Sequence, residues 1–161
     1  MAVREIGAKL VLGGEAEFNS AMKSVNSNLK TLKSDMNACT AEFDSNASSS
    51  QALAAKQRIL DDVATQHGAK VEALRNRYQH LVTTQGEESA AADKAKQALN
   101  AAIVAQLKAV QAADKNREAL AAAQKEESRF AKAAEVAGRA AGVAAKGLEG
   151  LAKAGGKVVL T

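Results

Sequence analysis

The chain has 161 residues and a formal net charge of +4, and 47% of its residues are apolar although only 2% are aromatic. Alanine is the commonest apolar residue and buries little surface, so the composition excludes a thick core of large interlocking side chains. Proline is absent, and the abundant Ala, Lys, Glu, Gln and Leu residues favour helices. The expected fold is therefore all-α, with long extended coiled-coil helices and a short N-terminal β-strand, and not a compact globular domain.

Residues 1–14 are predicted to contain a β-strand that ends in a Gly-Gly hinge. Apolar side chains recur at every second position between residues 6 and 12, which is the period of a half-buried strand. A lone strand is unstable in water, so we expect it to dock on another copy or on the sheet edge of a neighbouring protein. The docking strand presents Ile6, Ala8, Leu10 and Leu12.

Residues 15–44 are predicted to form a helix with the clearest heptad pattern in the chain. Glu15 and Glu17 place negative charge at its N-terminus, where the helix dipole favours it. Large apolar residues then follow at alternating steps of four and three, and the positions between them are polar. This pattern predicts a narrow coiled-coil seam, the α1 seam, made of Phe18, Met22, Val25, Leu29, Leu32, Met36, Cys39 and Phe43.

A polar break at residues 45–50 separates this helix from a second helix at residues 51–85. Ser48 with Gln51 matches a capping box that restarts the helix, and Gly86 is expected to end it. A second seam is weakened by a histidine and by the glycine that follows it. Its members are Leu60, Ala64, His67, Val71, Leu74, Tyr78 and Leu81.

Residues 86–130 are predicted to form a third, Ala-rich helix, opened by a capping box of Thr84 with Glu87. Its large apolar residues are sparse beyond residue 110, so its choice of packing partner is loosely specified. The residues that share one face are Leu99, Ile103, Leu107 and Val110.

Residues 131–161 form a weakly amphipathic segment rich in Ala and Gly. It holds five basic and two acidic residues, a net charge of +3. Such a segment could prefer an anionic surface, and we expect at most a transient membrane contact through it.

No catalytic, cofactor-binding or metal-binding residue is predicted. His67 and His80 are 13 residues apart, which places them on different sides of a helix. Residues 151–158 approach a phosphate-binding loop, but Leu151 replaces its first glycine and Val158 its Ser or Thr. Basic residues alternate with acidic ones and lack interleaved aromatics, which argues against specific nucleic-acid binding. We therefore do not expect an enzyme.

Four short motifs stand near the N-terminus: REIG at residues 4–7, GGEAEF at 13–18, LKTLKSDM at 29–36 and TAEFD at 40–44. With them, the first 45 residues resemble the amino-terminal region of tail tape measure proteins of phages and phage tail-like particles. Beyond residue 44 the similarity is limited to a helix-forming, Ala-rich composition. The chain is far shorter than most members of that family, so it is either an amino-terminal portion of a longer protein or serves a short tail.

The resemblance implies a rod of parallel chains inside the tail tube, which sets tail length, templates tube polymerisation and is released on ejection. The implied partners are the tail tube protein that lines the lumen and the tail tip or baseplate hub proteins. The implied location is the virion or particle tail, inside the tube, with the host cytoplasm as the place of assembly. Because the α1 seam has no β-branched a layer and no buried polar residue, we expect a homotrimer, with a hexamer as the alternative.

Two other hypotheses remain open. The chain could be a membrane-active or secreted amphipathic coiled-coil protein, which predicts lipid-dependent helix formation in residues 131–161. It could also be a helical hairpin adaptor with turns at residues 44–50 and 85–89. The scarcity of large side chains after residue 110 argues against the hairpins, since they would have too little to bury.

Overall fold

The computed structural model describes residues 14–46 and 48–155, with side chains for residues 14–45 and 48–146. The described residues are almost wholly helical, which confirms the all-α class predicted from composition. The helices are α1 (Glu15–Glu42), α2 (Ser50–Gln85) and α3 (Ala90–Gly155), and a single 3₁₀ turn spans Asp44–Asn46. The predicted docking strand lies outside the described residues.

α1 begins without a side-chain cap. Glu15 and Glu17 lie in its first turn, where backbone N–H groups have no helical partner and negative charge is favoured. The helix ends at Phe43, whose N–H donates to the carbonyl of Cys39 at 3.2 Å. One 3₁₀ turn then leads toward α2.

α2 is capped by Ser49, whose Oγ accepts a hydrogen bond from the N–H of Ala52 at 3.2 Å. The capping box expected one residue earlier, at Ser48, is therefore wrong. The helix ends as expected at Gly86, whose N–H donates to the carbonyl of Val82 at 3.0 Å. Gly86 has φ +89°, a backbone conformation that favours glycine.

α3 is capped by Ser89, whose Oγ accepts from the N–H of Ala92 at 3.2 Å. The predicted capping box at Thr84 is wrong, because Thr84 still belongs to α2. Its hydroxyl donates to the carbonyl of His80 at 2.8 Å and is thus occupied within its own helix.

By its contacts the chain divides into two units, at residues 120 and 121. In the first unit α1 and α2 run antiparallel: Glu15, at the start of α1, pairs with Arg77, near the end of α2, at 2.6 Å. α2 and α3 also run antiparallel, since Leu81 packs with Ala92 near one turn, and Asn116 reaches back to the start of α2. The helices therefore fold back at both predicted turns.

The core of the first unit lies where α2 meets both neighbours. One cluster joins residues of all three helices, and a second lies near the α2–α3 turn. Tyr78 packs against both clusters. The buried members are Phe18, Val71, Ala73, Leu74, Leu99 and Ala102 in the first cluster and Leu81, Ala92 and Ala95 in the second.

α3 packs on α2 mainly through alanine. Its inward face follows alternating steps of three and four from residue 92 to residue 116, and all eight positions are buried except Gln106, which is half-buried. We call five of these positions the alanine row: Ala92, Ala95, Ala102, Ala109 and Ala113. Small residues let helix backbones approach closely, so the argument that hairpins need large side chains is wrong here. Because the helices of the first unit fold back on one another, the prediction of helices extended in line does not hold there.

The second unit comprises the described residues from 121 onward, which are helical through Gly155. The helix passes residue 131, where the composition changes, without a break. Every side chain between residues 121 and 146 is exposed except Ala123, which is half-buried. The exposed large apolar residues here are Phe130, Val136 and Val143.

Candidate functional site: the helix-packing surfaces

The α1 seam is covered by the chain's own helices only at its N-terminal end. Phe18 and Val25 are buried, and Met22 packs against the first core cluster. The rest of the seam is half-buried: Leu29, Leu32, Met36, Cys39 and Phe43. Cys39 is a free thiol. More than half of the seam therefore keeps surface that another helix could cover.

The second seam lies on the same core. Val71, Leu74 and Leu81 are buried, whereas Leu60, Ala64, His67 and Tyr78 are half-buried. Phe18 of the α1 seam shares a cluster with Val71 and Leu74. The structure thus brings the two predicted seams together within one chain.

Arg77 of α2 binds the start of α1. Its guanidinium carbon lies 4.4 Å from the centre of the Phe18 ring, a cation–π distance. The same side chain donates to Glu15 Oε1 at 2.6 Å. One residue of α2 thereby binds both the charge and the ring presented by the first turn of α1.

Further along, α1 is held to α2 by exposed polar contacts. Lys70 Nζ donates to Asn26 Oδ1 at 3.1 Å, and Asn28 Nδ2 donates to Gln66 Oε1 at 3.2 Å. Exposed contacts of this kind contribute little to stability. An open cleft separates the two helices beside them, lined by Asn28, Thr31, Leu32, Asp62, Thr65 and Gln66. Beyond Val25, α1 is therefore held to α2 by exposed polar contacts and half-buried apolar side chains, and not by buried core residues.

A buried polar network fixes the register of α2 against α3. Asn116 is 7% exposed, and its Nδ2 donates to both the carbonyl of Leu53 and Gln57 Oε1, each at 2.9 Å. Gln57 Nε2 donates to Asp61 Oδ1 at 2.8 Å, and Arg117 donates to the same oxygen at 3.0 Å. Buried polar groups tolerate few alternative partners, so this network disfavours a slipped register.

His67 lies beside an apolar groove of about 380 Å³ that Met22, Leu74 and four alanines of α3 also line. Its Nδ1 atom is buried and makes no hydrogen bond. Burial lowers the pKa of His67 below its ordinary value of 6.5, and the nearby Lys70 ammonium lowers it further. The neutral imidazole is thus the favoured form in this setting.

The four residues that were predicted to share one face of α3 differ in burial: Leu99, Ile103, Leu107 and Val110. Leu99 is buried against α2, whereas Leu107 is 57% exposed. The apolar residues on the side of Leu107 are Ile103, Val104, Leu107 and Val110, which we call the outer stripe. Ile103 also packs partly against the core.

Within the described residues, no group of three or more His, Cys, Asp and Glu side chains is placed to hold a metal ion. No helix among those residues combines the length and apolar character that crossing a membrane requires. Comparison of the chain with models of protein families, with curated proteins and with solved structures gives no match. The helix-packing surfaces and the N-terminal motifs are therefore the features that bear on function.

The alanine row and Asn116 are the site residues that the search for large apolar seams missed. The alanine row has only a weak signal in the sequence, because residues 91, 95, 98, 102, 105, 109 and 112 are also alanines at alternating steps of four and three. The pairing of Asn116 with Gln57 has no such signal, since it depends on which helix becomes the neighbour.

Proposed function

We propose that this chain is a structural protein of the tail tape measure class, a helical component of the tube lumen of a phage tail or tail-like particle. There it sets tail length and templates tube polymerisation, and it leaves on ejection. The half-covered α1 seam is the observation that carries this proposal. This seam lies within the first 45 residues, the segment whose motifs resemble the family.

The proposal requires α1 to pair with sister chains through its seam. Its attachment to α2 supports this, because its contacts beyond residue 25 are exposed polar bonds beside an open cleft and apolar side chains that are only half-buried. Replacing them costs little, while sister seams would cover the apolar surface that remains on Leu29, Leu32 and Met36. Three parallel copies are the expected state, with six as the alternative.

The ruler mechanism is geometric. A helix rises 1.5 Å per residue, so helices placed in line convert chain length into tube length. Tube subunits would polymerise along the rod until it is covered. In the free chain the first unit is folded back, so assembly would include opening of its hairpins. A slightly basic rod would be held in the lumen without tight bonds, which allows release.

The remaining partners belong to the two ends of the chain. The predicted docking strand, Ile6 to Leu12, would add to a sheet edge of the tail tip or baseplate hub proteins. The tube protein that lines the lumen would face the solvated sides of the helices. Residues 131–161 would contact a membrane only transiently, during ejection.

Cys39 provides the first test, because a parallel seam places the Cys39 residues of sister chains side by side. Mild oxidation of assembled particles should give disulfide-linked chains. A matched control, Ser27→Cys in a Cys39→Ser background, moves the thiol to an exposed position on the opposite side of α1 and should give few links. Equal linking of both variants, or none, would contradict parallel seam pairing.

Tail length tests the ruler itself. An in-frame deletion of about 42 residues within α3 should shorten tails by roughly 60 Å, or by the nearest whole number of tube rings. Electron microscopy of particles that carry the deleted chain measures this directly. Tails of unchanged length would overturn the ruler function.

A second candidate function is binding to an anionic membrane surface through the second unit. It is favoured by the exposure of Val136 (66%) and Val143 (72%), seven residues apart on one side of a helix that also carries Lys132, Arg139 and Lys146. Co-sedimentation with vesicles of anionic and of neutral lipid distinguishes this function. Binding only to anionic vesicles, lost in Val143→Ser, would support it.

A further inference from the structure

The outer stripe of α3 is an apolar surface that the described helices leave open. Val104, Leu107 and Val110 are 51%, 57% and 41% exposed. All three are large apolar side chains on a helix that packs on α2 mainly through alanine. Their exposure is consistent with a contact that a single chain does not complete.

The stripe is the middle of a longer heptad face. Its residues follow one another at alternating steps of four and three, with apolar residues in the middle and polar residues at both ends. In chain order they are Lys96, Asn100, Ile103, Leu107, Val110 and Asp114. Lys96, Asn100 and Asp114 are exposed. Residues spaced in this way lie on one side of a helix, so the charged ends and the apolar centre form one continuous surface.

Charged residues of both signs stand at each end of this face, because the same steps continue to Asp93 before Lys96 and to Arg117 after Asp114. Asp114 and Arg117 also pair with each other within the chain, at 2.7 Å. A second copy in parallel would set lysine against lysine and carboxylate against carboxylate. An antiparallel copy sets each lysine against a carboxylate, so the charges favour the antiparallel sense.

We propose that the free chain forms an antiparallel homodimer through this face of α3. The proposed register places Ile103 of each chain against Leu107 of the other. It also places Lys96 against Asp114 and Asn100 against Val110. The two charge pairs flank the apolar centre and favour the antiparallel arrangement, while the centre supplies the buried surface.

This dimer is weak and reversible. Four large apolar side chains form its centre, far fewer than the roughly 20–30 residues per partner of a standard interface. It goes beyond the tape measure proposal, in which sister chains pair in parallel through the α1 seam and not through α3. The two contacts can therefore succeed or fail separately.

The oligomeric state of the purified full chain tests the proposal. Sedimentation equilibrium up to on the order of 100 μM should show a monomer–dimer equilibrium. Leu107→Glu should raise the dissociation constant about tenfold or more, because it places two carboxylates in the apolar centre. Val143→Glu is the matched control, an exposed apolar residue of the same helix outside the face, and should leave association unchanged. Far-UV circular dichroism would verify that both variants remain helical.

Charge exchange and cross-linking test the register. Lys96→Glu and Asp114→Lys should each weaken the dimer, and the double variant should restore it. In a Cys39→Ser background, a mixture of Ile103→Cys and Leu107→Cys chains should oxidise mainly to the mixed dimer. Preferential linking of identical variants would indicate a parallel register and overturn the proposal.

Other occupants of the stripe give different results. A chain that stays monomeric at the highest concentration would overturn the proposal. So would association that Val143→Glu abolishes and Leu107→Glu leaves intact, because the contact would then lie in the second unit. Dimers held only through Cys39 would also overturn it, and they would leave the α1 proposal standing.

Discussion

The guanidinium of Arg77 covers the ring of Phe18, with 4.4 Å between the guanidinium carbon and the ring centre. Phe18 is 7% exposed and begins the α1 seam, so this contact closes the seam at the end where α1 starts. Glu15 holds the other side of the same guanidinium. The attachment of α1 to α2 is therefore strongest at its N-terminal turn.

Arg77→Ala should lower the free energy of unfolding by about 1 kcal/mol, because it removes a partly exposed cation–π contact and an ion pair. Urea unfolding followed by far-UV circular dichroism measures the change. Arg75→Ala is the control, since Arg75 pairs with Glu72 one turn away on the exposed face of α2, and it should cost less than about 0.5 kcal/mol. Equal losses in both variants would contradict a role for the Phe18 ring.

Asn116→Ala should lower the free energy of unfolding by about 1–3 kcal/mol, because it removes the donor to Gln57 Oε1 and leaves the carbonyl of Leu53 with its helical partner alone. Replacing Gln57 and Asn116 together by Leu should cost much less stability than the sum of the losses in Gln57→Leu and Asn116→Leu. A double-mutant cycle in urea measures this coupling. Simple additivity would show that the two amides act independently.

Gly68→Ala should raise the free energy of unfolding by about 0.5–1 kcal/mol, since Gly68 lies in the interior of α2. The new Cβ would come 3.3 Å from Nε2 of Gln106, the mobile end of a long side chain that can shift. Gly86→Ala should have the opposite sign, because its φ of +89° is strained for any other residue. Thermal unfolding of both variants compares them, and a shift of the same sign in both would refute the explanation.

His67 predicts a loss of stability in acid. Its pKa is lower in the folded chain than the ordinary 6.5 of the unfolded chain, so the unfolded state binds more protons below about pH 6.5. The contribution of His67 is therefore fully present above that pH. It declines as the pH falls and levels off below the folded-state pKa.

Comparing wild type with His67→Gln between pH 7.5 and 5 isolates this effect from the carboxylates. The wild type should lose more stability than the variant over this range. His80→Gln serves as the control, because His80 is exposed at the end of the same helix. An identical pH dependence in wild type and His67→Gln would contradict the prediction.

Helix content, the turn at Gly86 and the inward position of Phe18 and Val71 could be predicted from residue types and spacing alone. The choice of neighbour could not. A heptad seam such as Phe18 to Phe43 has the same pattern whether its own chain or a sister chain covers it. The contact between Asn116 and Gln57 joins residues 59 positions apart, so no local pattern indicates it. The alanine row was missed for a different reason, namely that alanine is common both on seams and on solvated faces.

The alanine row also keeps low the conformational entropy that α3 loses when it packs against α2. An alanine side chain has no rotamers to lose, whereas a buried Leu or Met gives up conformational entropy when it is fixed. Each alanine of the row therefore gains little on burial and also loses little. The stability of the α2–α3 hairpin is consequently distributed along the length of the contact, and no single alanine dominates it. Such a contact can separate stepwise from its ends, with a small change in free energy at each turn.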